Sequence, residues 1–333
     1  MVPTDTLLVN TPGTFLGKKS RRVIVKTPES DPKEFSLLKL KEITLVGSGI
    51  SVSNDLILQA TKLGININLL DRMGRFYAKI TSPFLSQTIE TARAQLKAEN
   101  TEYGEKIAKG IILAKMQNQA NLLKFFIKHQ ALYYPEKAKK INQHIASIGF
   151  LFKQLKDKEL SSKKFQNILF SFEGRASDSY WLAFRLLTDE KLKFPGRVGR
   201  GAKDPVNSLL NYGYGILYSK VLTAVLSTGL LPFAGFVHTD RSGKASLVLD
   251  IIELFRQPTV DHTLVSFLSK KKKEFTVNKE TLYEFASKVI NRLKEREVFT
   301  GGKRYTLDKI IFLQTQNIAS FLKNEQTLKI FGQ

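Results

Sequence analysis

The period of hydrophobic residues changes near residue 84, so one type of secondary structure cannot serve the whole chain. Up to about residue 80, short apolar and β-branched runs predict strands: "TLLVN", "TFLGKK", "RRVIVKTP", "FSLLKLKEITLVG", "ININLLD" and "FYAKI". Thr11-Pro12-Gly13 and Met73-Gly74-Arg75 supply turns between them. One short helix is expected from Ser53 to Leu63, capped by Ser53 and stopped by Gly64. After Thr81-Ser82-Pro83 the period becomes helical. "TIETARAQLKAEN" and "EKIAKGIILAKMQNQANLLKFFIKHQ" place apolar residues on one face and Lys and Arg on the other. Asp204 and Pro205 predict an N-cap and first helical residue, for a helix running to Gly229. "TLYEFASKVINRLKER" and "LQTQNIASFLKN" predict two more. The fold class is α+β: a small β-rich domain over residues 1–83, then a larger α-helical domain over 84–333. No internal repeat is visible, and the Lys270–Lys273 run fits a solvated helix end.

Charge narrows the partners. Fifty-two Lys and Arg against thirty Asp and Glu give a net +22 over 333 residues, which favours a polyanion and above all nucleic acid. No apolar run approaches the ~20 residues needed to span a bilayer, and no secretory signal is visible at the start. These features predict a cytoplasmic protein with no membrane partner. The absence of cysteine excludes disulfides, zinc-thiolate sites and thiol catalysis.

Against this basic background, a few acidic residues stand in apolar surroundings. The helix expected from Ser246 carries Asp250 and Glu253, three apart on one face and embedded in Leu, Ile and Val. A buried carboxylate must be paired or bind a cation. Arg256 offers Glu253 a structural ion pair, and a metal is the other reading. His238 ends an apolar stretch entered through Gly229 and Pro232. Glu173 lies in "SFEGRASDSYW", where one helical pattern is expected to stop and another to begin. Two or three carboxylates with one histidine suit Mn²⁺ or Mg²⁺, and on a basic chain a hard divalent ion implies phosphoryl chemistry. Tyr180 and Trp181 are expected to pack in the core. Asn207 and Asn211 share a helix face with hydrogen-bonding capacity, and Asp261 is expected to cap the helix after Pro258. "GSGIS" at 47–51 lacks the third glycine and the downstream acid of a dinucleotide loop, so a turn explains it better than a nucleotide site.

Four segments carry a family resemblance: "LLVNTPGTFLGKKSRRVIVK", "EGRASDSYWLAF", "FPGRVGRGAKDPVNSLLNYGYGILYSKV" and "GLLPFAGFVHTDRSGKASLVLDIIELFRQPTVD". Their order resembles the CRISPR-associated adaptation integrase, and the likeness runs from the first strand to about residue 320. It implies an N-terminal β-sandwich-like domain and a C-terminal helical domain that carries the metal site. It also implies Glu173, His238 and Glu253 as metal ligands. Asp250 occupies the first acidic position of the D-x-x-D/E helix, close to the metal, and Glu253 stands where other members have Asp.

The implied activity is that of a Mn²⁺- or Mg²⁺-dependent DNA endonuclease and integrase. A 3′-hydroxyl of captured DNA attacks a repeat-border phosphodiester, and new spacers enter a CRISPR array. Arg197, Arg200 and Lys203 are then candidate phosphate contacts, with a solvated basic loop as the equal alternative. Implied partners are double-stranded and branched DNA, a second copy of the chain, and a smaller adaptation subunit bridging two dimers. The β domains would form much of the dimer contact. A basic DNA-binding scaffold without catalysis is the rival reading.

Overall fold

A computed structural model of the chain describes all residues except 1–4, 73, 75, 83–88, 131, 161–164, 200, 239–242, 271–275 and 333. The chain divides into two compact units: residues 1–85 with 211–219, and residues 86–210 with 220–333.

In the first unit the strands are β1 (Thr6–Val9), β2 (Phe15–Lys19), β3 (Arg22–Thr27), β4 (Ser30–Ser36), β5 (Glu42–Val46) and β6 (Ser51–Val52). Helix α1 (Asn54–Lys62), β7 (Asn66–Leu70) and β8 (Phe76–Ile80) follow. They form two four-stranded sheets, ordered β1-β5-β7-β8 and β4-β3-β2-β6. The first is parallel from β1 through β7, with Leu7 opposite Ile43 and Ile43 opposite Ile67. Every residue of β5 is buried, as a central parallel strand requires. Leu7, Leu16, Val23, Ile43, Leu56 and Ile67 from both sheets and α1 share one apolar core, which is the sandwich-like arrangement. Ser53 caps α1 by accepting from the Leu56 N–H at 3.3 Å.

Two strands differ from the sequence pattern. "FSLLKLKEITLVG" is not one strand: a 3₁₀ turn at Leu37–Lys39 separates β4 from β5. β4 itself contains Pro32, which argues against a central strand. It lies at a sheet edge, where the missing N–H costs no ladder bond. In "GSGIS", Gly47 and Gly49 take φ of +92° and +76°, and the turn leads through β6 into α1.

The helical unit contains α2 (Ile89–Ala98), α3 (Glu102–Gln130), α4 (Pro135–Asp157), α5 (Phe165–Leu187) and α6 (Pro205–Ser227). It continues with α7 (Ser246–Ile252), α8 (His262–Leu268), α9 (Lys279–Leu293), a β9 (Arg296–Val298) and β10 (Arg304–Thr306) hairpin, and α10 (Leu307–Leu322). Residues 211–219 of α6 are counted with the first unit. There a Cβ on Gly215 would collide with the Gly74 carbonyl, so this close approach needs glycine. Asp204 caps α6, accepting from the Asn207 N–H at 2.9 Å. No helix among the described residues is long and apolar enough to cross a membrane.

Two local expectations are corrected. Glu173 and Gly174 do not mark a break; α5 runs through them without interruption. An interior glycine costs a helix only about 1 kcal/mol relative to alanine. Burial of Phe165, Leu169, Ala176, Tyr180 and Phe184 along the same helix outweighs that. Asp261 is not an N-cap. A π-helical turn, Arg256–Asp261, runs directly into α8, and Asp261 has helical φ and ψ with no cap hydrogen bond. Its buried carboxylate instead accepts from the Tyr180 hydroxyl at 2.6 Å.

Candidate metal centre

The site is assembled from α3, α5, α7 and the loop before α7. That loop, from Gly229 to His238, has little regular structure and is fixed by polar side chains. Gln95 of α2, 1% exposed, donates to the Leu231 and Ala234 carbonyls at 3.0 and 2.6 Å and accepts from the Leu231 N–H at 2.7 Å. Ser246, the first residue of α7, donates to the Phe233 carbonyl at 2.6 Å and accepts from the Gly235 N–H at 2.9 Å. A Cβ on Gly235 would meet both Ser246 and Asp250.

Asp250 completes the loop. Its side chain is fully buried, and Oδ2 accepts from the Phe236 and Val237 N–H groups at 2.6 and 3.0 Å. Oδ1 accepts from the His238 backbone N–H at 2.9 Å and meets His238 Nδ1 at 2.7 Å. Beside a carboxylate, Nδ1 carries the proton, so Nε2 keeps its lone pair for a ligand. Both oxygens of Asp250 are therefore engaged in holding the loop and orienting the ring. His238 is 34% exposed at its side chain.

Glu173 and Glu253 converge on a cation supplied by the chain itself. The Lys115 ammonium pairs with Glu173 Oε1 and lies 2.7 Å from Glu253 Oε2. The other Glu253 oxygen pairs with Arg256 Nη1 at 2.6 Å, so the structural ion pair legible in the sequence does form. Glu253 Oε2 is buried and accepts no hydrogen bond of good geometry. Burial alone would raise the Glu253 pKa, but Arg256, Lys115 and His238 together hold it at about 2. Burial likewise disfavours the charged Lys115, but Glu253 and Glu173 outweigh it and raise its pKa. Glu253 and Lys115 are thus both charged at neutral pH.

Helix α3 contributes more than Lys115, and sequence reading treated it only as an amphipathic helix. Asn118 Nδ2 donates to the Leu254 carbonyl at 2.9 Å, beside Glu253. Gln119 donates to Ser177 Oγ at 3.3 Å, and Ser177 donates to Glu173 Oε1 at 2.9 Å. The available signal was "ILAKMQNQANLL", in which Lys115, Asn118 and Gln119 recur at helical spacing within an apolar run.

Among the described residues, no three His, Asp or Glu side chains close on one point. Two carboxylates do, and an ammonium stands there. This resident cation is the observation that the two carboxylates accommodate a positive ion, and hard carboxylate oxygens suit a divalent cation.

The other candidates divide. Arg197 Nη1 donates to Asn207 Oδ1 at 3.1 Å and to the Val198 carbonyl, and Asn207 also donates to the Gly196 carbonyl and Asp204. Arg197 and Asn207 therefore shape the loop before α6. Lys203 is exposed, and Arg200 lies outside the described residues. A separate cleft of about 800 Å³ is lined by Lys137, Lys140, His144, Arg185 and Lys193, and by none of the four site residues.

Acidic oxygens that gather a buried cation, in a chain of net charge +22, define a candidate for metal-assisted chemistry on a polyanion. Known proteins place it further. The family model described as CRISPR associated protein Cas1 matches residues 7–292, and the chain belongs to that family. A CRISPR-associated endonuclease Cas1 from Archaeoglobus fulgidus is 30% identical over 98% of this chain and 99% of its own. Another from Francisella tularensis subsp. novicida is 28% identical over 97% of each. In fold, the chain resembles a casposase bound to integration product, with TM-score 0.82 at 22% identity over 98% of this chain and 93% of that one. It also resembles a CAS1 protein from Thermotoga maritima, with TM-score 0.76 at 21% identity over 98% and 99%.

Proposed function

We propose that this chain is a divalent-metal-dependent DNA endonuclease and integrase that inserts new spacer DNA into a CRISPR array. The observation that carries the reading is the convergence of Glu173 and Glu253 on one buried cation. Family membership and the endonuclease names of its relatives support it. Glu173, Glu253 and His238 Nε2 would hold the ion. When bound, it neutralises phosphate charge and lowers the pKa of a hydroxyl or water nucleophile.

The chain's own residues prepare that chemistry. Asp250 holds His238 in the tautomer that leaves Nε2 as an acceptor, and Arg256 keeps Glu253 ionised. In strand transfer the incoming 3′-oxygen forms a bond to the repeat-border phosphorus. The bond to the original 3′-oxygen breaks, and that oxygen leaves as a new 3′-hydroxyl. Hydrolysis of branched DNA replaces the incoming hydroxyl by water. Arg197, Arg200 and Lys203 are the proposed phosphate contacts, and Arg197 also shapes the loop before α6 through Asn207.

The partners follow from this reading: double-stranded and branched DNA, a second copy through the β-rich unit, and a smaller adaptation subunit bridging two dimers. One protein of similar fold is described as a Cas6-RT-Cas1–Cas2 complex. The setting is the prokaryotic cytoplasm, where CRISPR arrays lie. The test is branched-DNA cleavage and strand transfer with Mn²⁺, for the wild type and for Glu173→Ala and His238→Ala. Activity lost in both variants is expected. Unchanged activity in both would overturn the site, and DNA binding without activity in any form would favour the scaffold.

A further inference from the structure

The Lys115 ammonium has no part in the reaction just described, yet it stands where that reading puts the metal. It comes from the middle of the long helix α3, its side chain is 9% exposed, and it pairs with both carboxylates. Two cations, Lys115 and Arg256, face two carboxylates, Glu173 and Glu253. This group is therefore neutral before any ion is added. Without Lys115, the Glu173 and Glu253 carboxylates would face each other without the ammonium they share, a costly arrangement.

We infer that Lys115 is the resident cation of this centre. It holds Glu173 and Glu253 together in the metal-free protein, and the divalent ion binds by taking its place. The inference rests on the metal reading of Glu173, His238 and Glu253. It has a consequence for selectivity. A tethered ammonium competes at high effective concentration, and a monovalent ion offers the carboxylates no more charge than it does. A divalent ion offers twice as much. Lys115 thus sets the threshold that an incoming ion must exceed.

The experiment measures Mn²⁺ affinity of the full-length chain from the electron paramagnetic resonance signal of free Mn²⁺. It compares wild type with Lys115→Met, which keeps length without charge, and Lys115→Arg, which keeps the charge. Thermal melting in chelator and in Mn²⁺ accompanies each measurement. Lys115→Met should tighten Mn²⁺ binding by about tenfold or more, melt lower in chelator, and show a larger Mn²⁺-induced rise. Lys115→Arg should not tighten binding. If Lys115→Met does not fold in chelator, Lys115→Gln gives the same comparison. Unchanged or weaker affinity in the neutral variants overturns the inference. If Glu173→Gln and His238→Ala still weaken binding in that case, the metal reading survives. Affinity indifferent to all these substitutions overturns both.

Discussion

Asp250 and Glu253 lie one helical turn apart, both buried, and they solve the problem of a buried carboxylate in opposite ways. Asp250 is satisfied by three backbone N–H groups and the His238 ring. Glu253 is satisfied by two side-chain cations. Backbone donors are built into the loop and leave only if it unfolds. A side-chain ammonium can move and be replaced by another cation. The first arrangement anchors structure, and the second leaves a place for an ion. On the proposed reading Asp250 would position the loop and the His238 ring, while Glu253, with Glu173, would hold the ion.

The contrast is open to challenge by substitution. The largest effect is expected from Asp250→Ala, which leaves three N–H groups of the loop without an acceptor. At about 1–3 kcal/mol for each unsatisfied buried group, the metal-free protein should lose about 3 kcal/mol or more in urea denaturation. A loss no greater than that of Glu173→Gln would erase the distinction. Glu173→Gln should do the reverse, lowering strand transfer by at least about 10²-fold while changing metal-free stability by about 1 kcal/mol or less. Asn118→Ala should cost about 1–2 kcal/mol by orphaning the Leu254 carbonyl, and should relax the turn that carries Glu253.

The smallest effect lies away from the site. His262 packs against Phe125 and Phe126, and burial, with Arg292 nearby, lowers its pKa to about 4 from 6.5. The unfolded chain takes up this proton between those values while the folded chain does not. Stability at this residue is therefore full above about 6.5 and falls as the pH drops toward 4. His262→Phe should flatten that part of the stability-versus-pH curve. An unchanged slope would place the titration elsewhere.

The two-part α+β organisation was legible because strand and helix differ in hydrophobic period. The Ser53 and Asp204 caps were legible because capping is local chemistry. The Glu253–Arg256 pair was legible from residue type and spacing, whereas Glu173, His238 and Glu253 as a ligand set came from the family resemblance. Lys115 could not: its partners lie 58 and 138 residues further along the chain (173 − 115 and 253 − 115), and a lysine in a basic helix looks like surface. Gly174 misled for the opposite reason. Its local helix cost is visible in sequence, but the tertiary burial that outweighs it is not. Asp261 misled likewise, since Pro258 signals a helix start but the chain accommodates it in a π-helical turn.

Anomalous scattering from a Mn²⁺-soaked crystal tests the central claim most directly. The predicted result is one metal peak about 2.0–2.3 Å from oxygens of Glu173 and Glu253 and from His238 Nε2. Asp250 should still be bonded to the loop, and the Lys115 ammonium should have withdrawn. A peak ligated by Asp250, or a bound metal with Lys115 still between the two glutamates, would contradict the account.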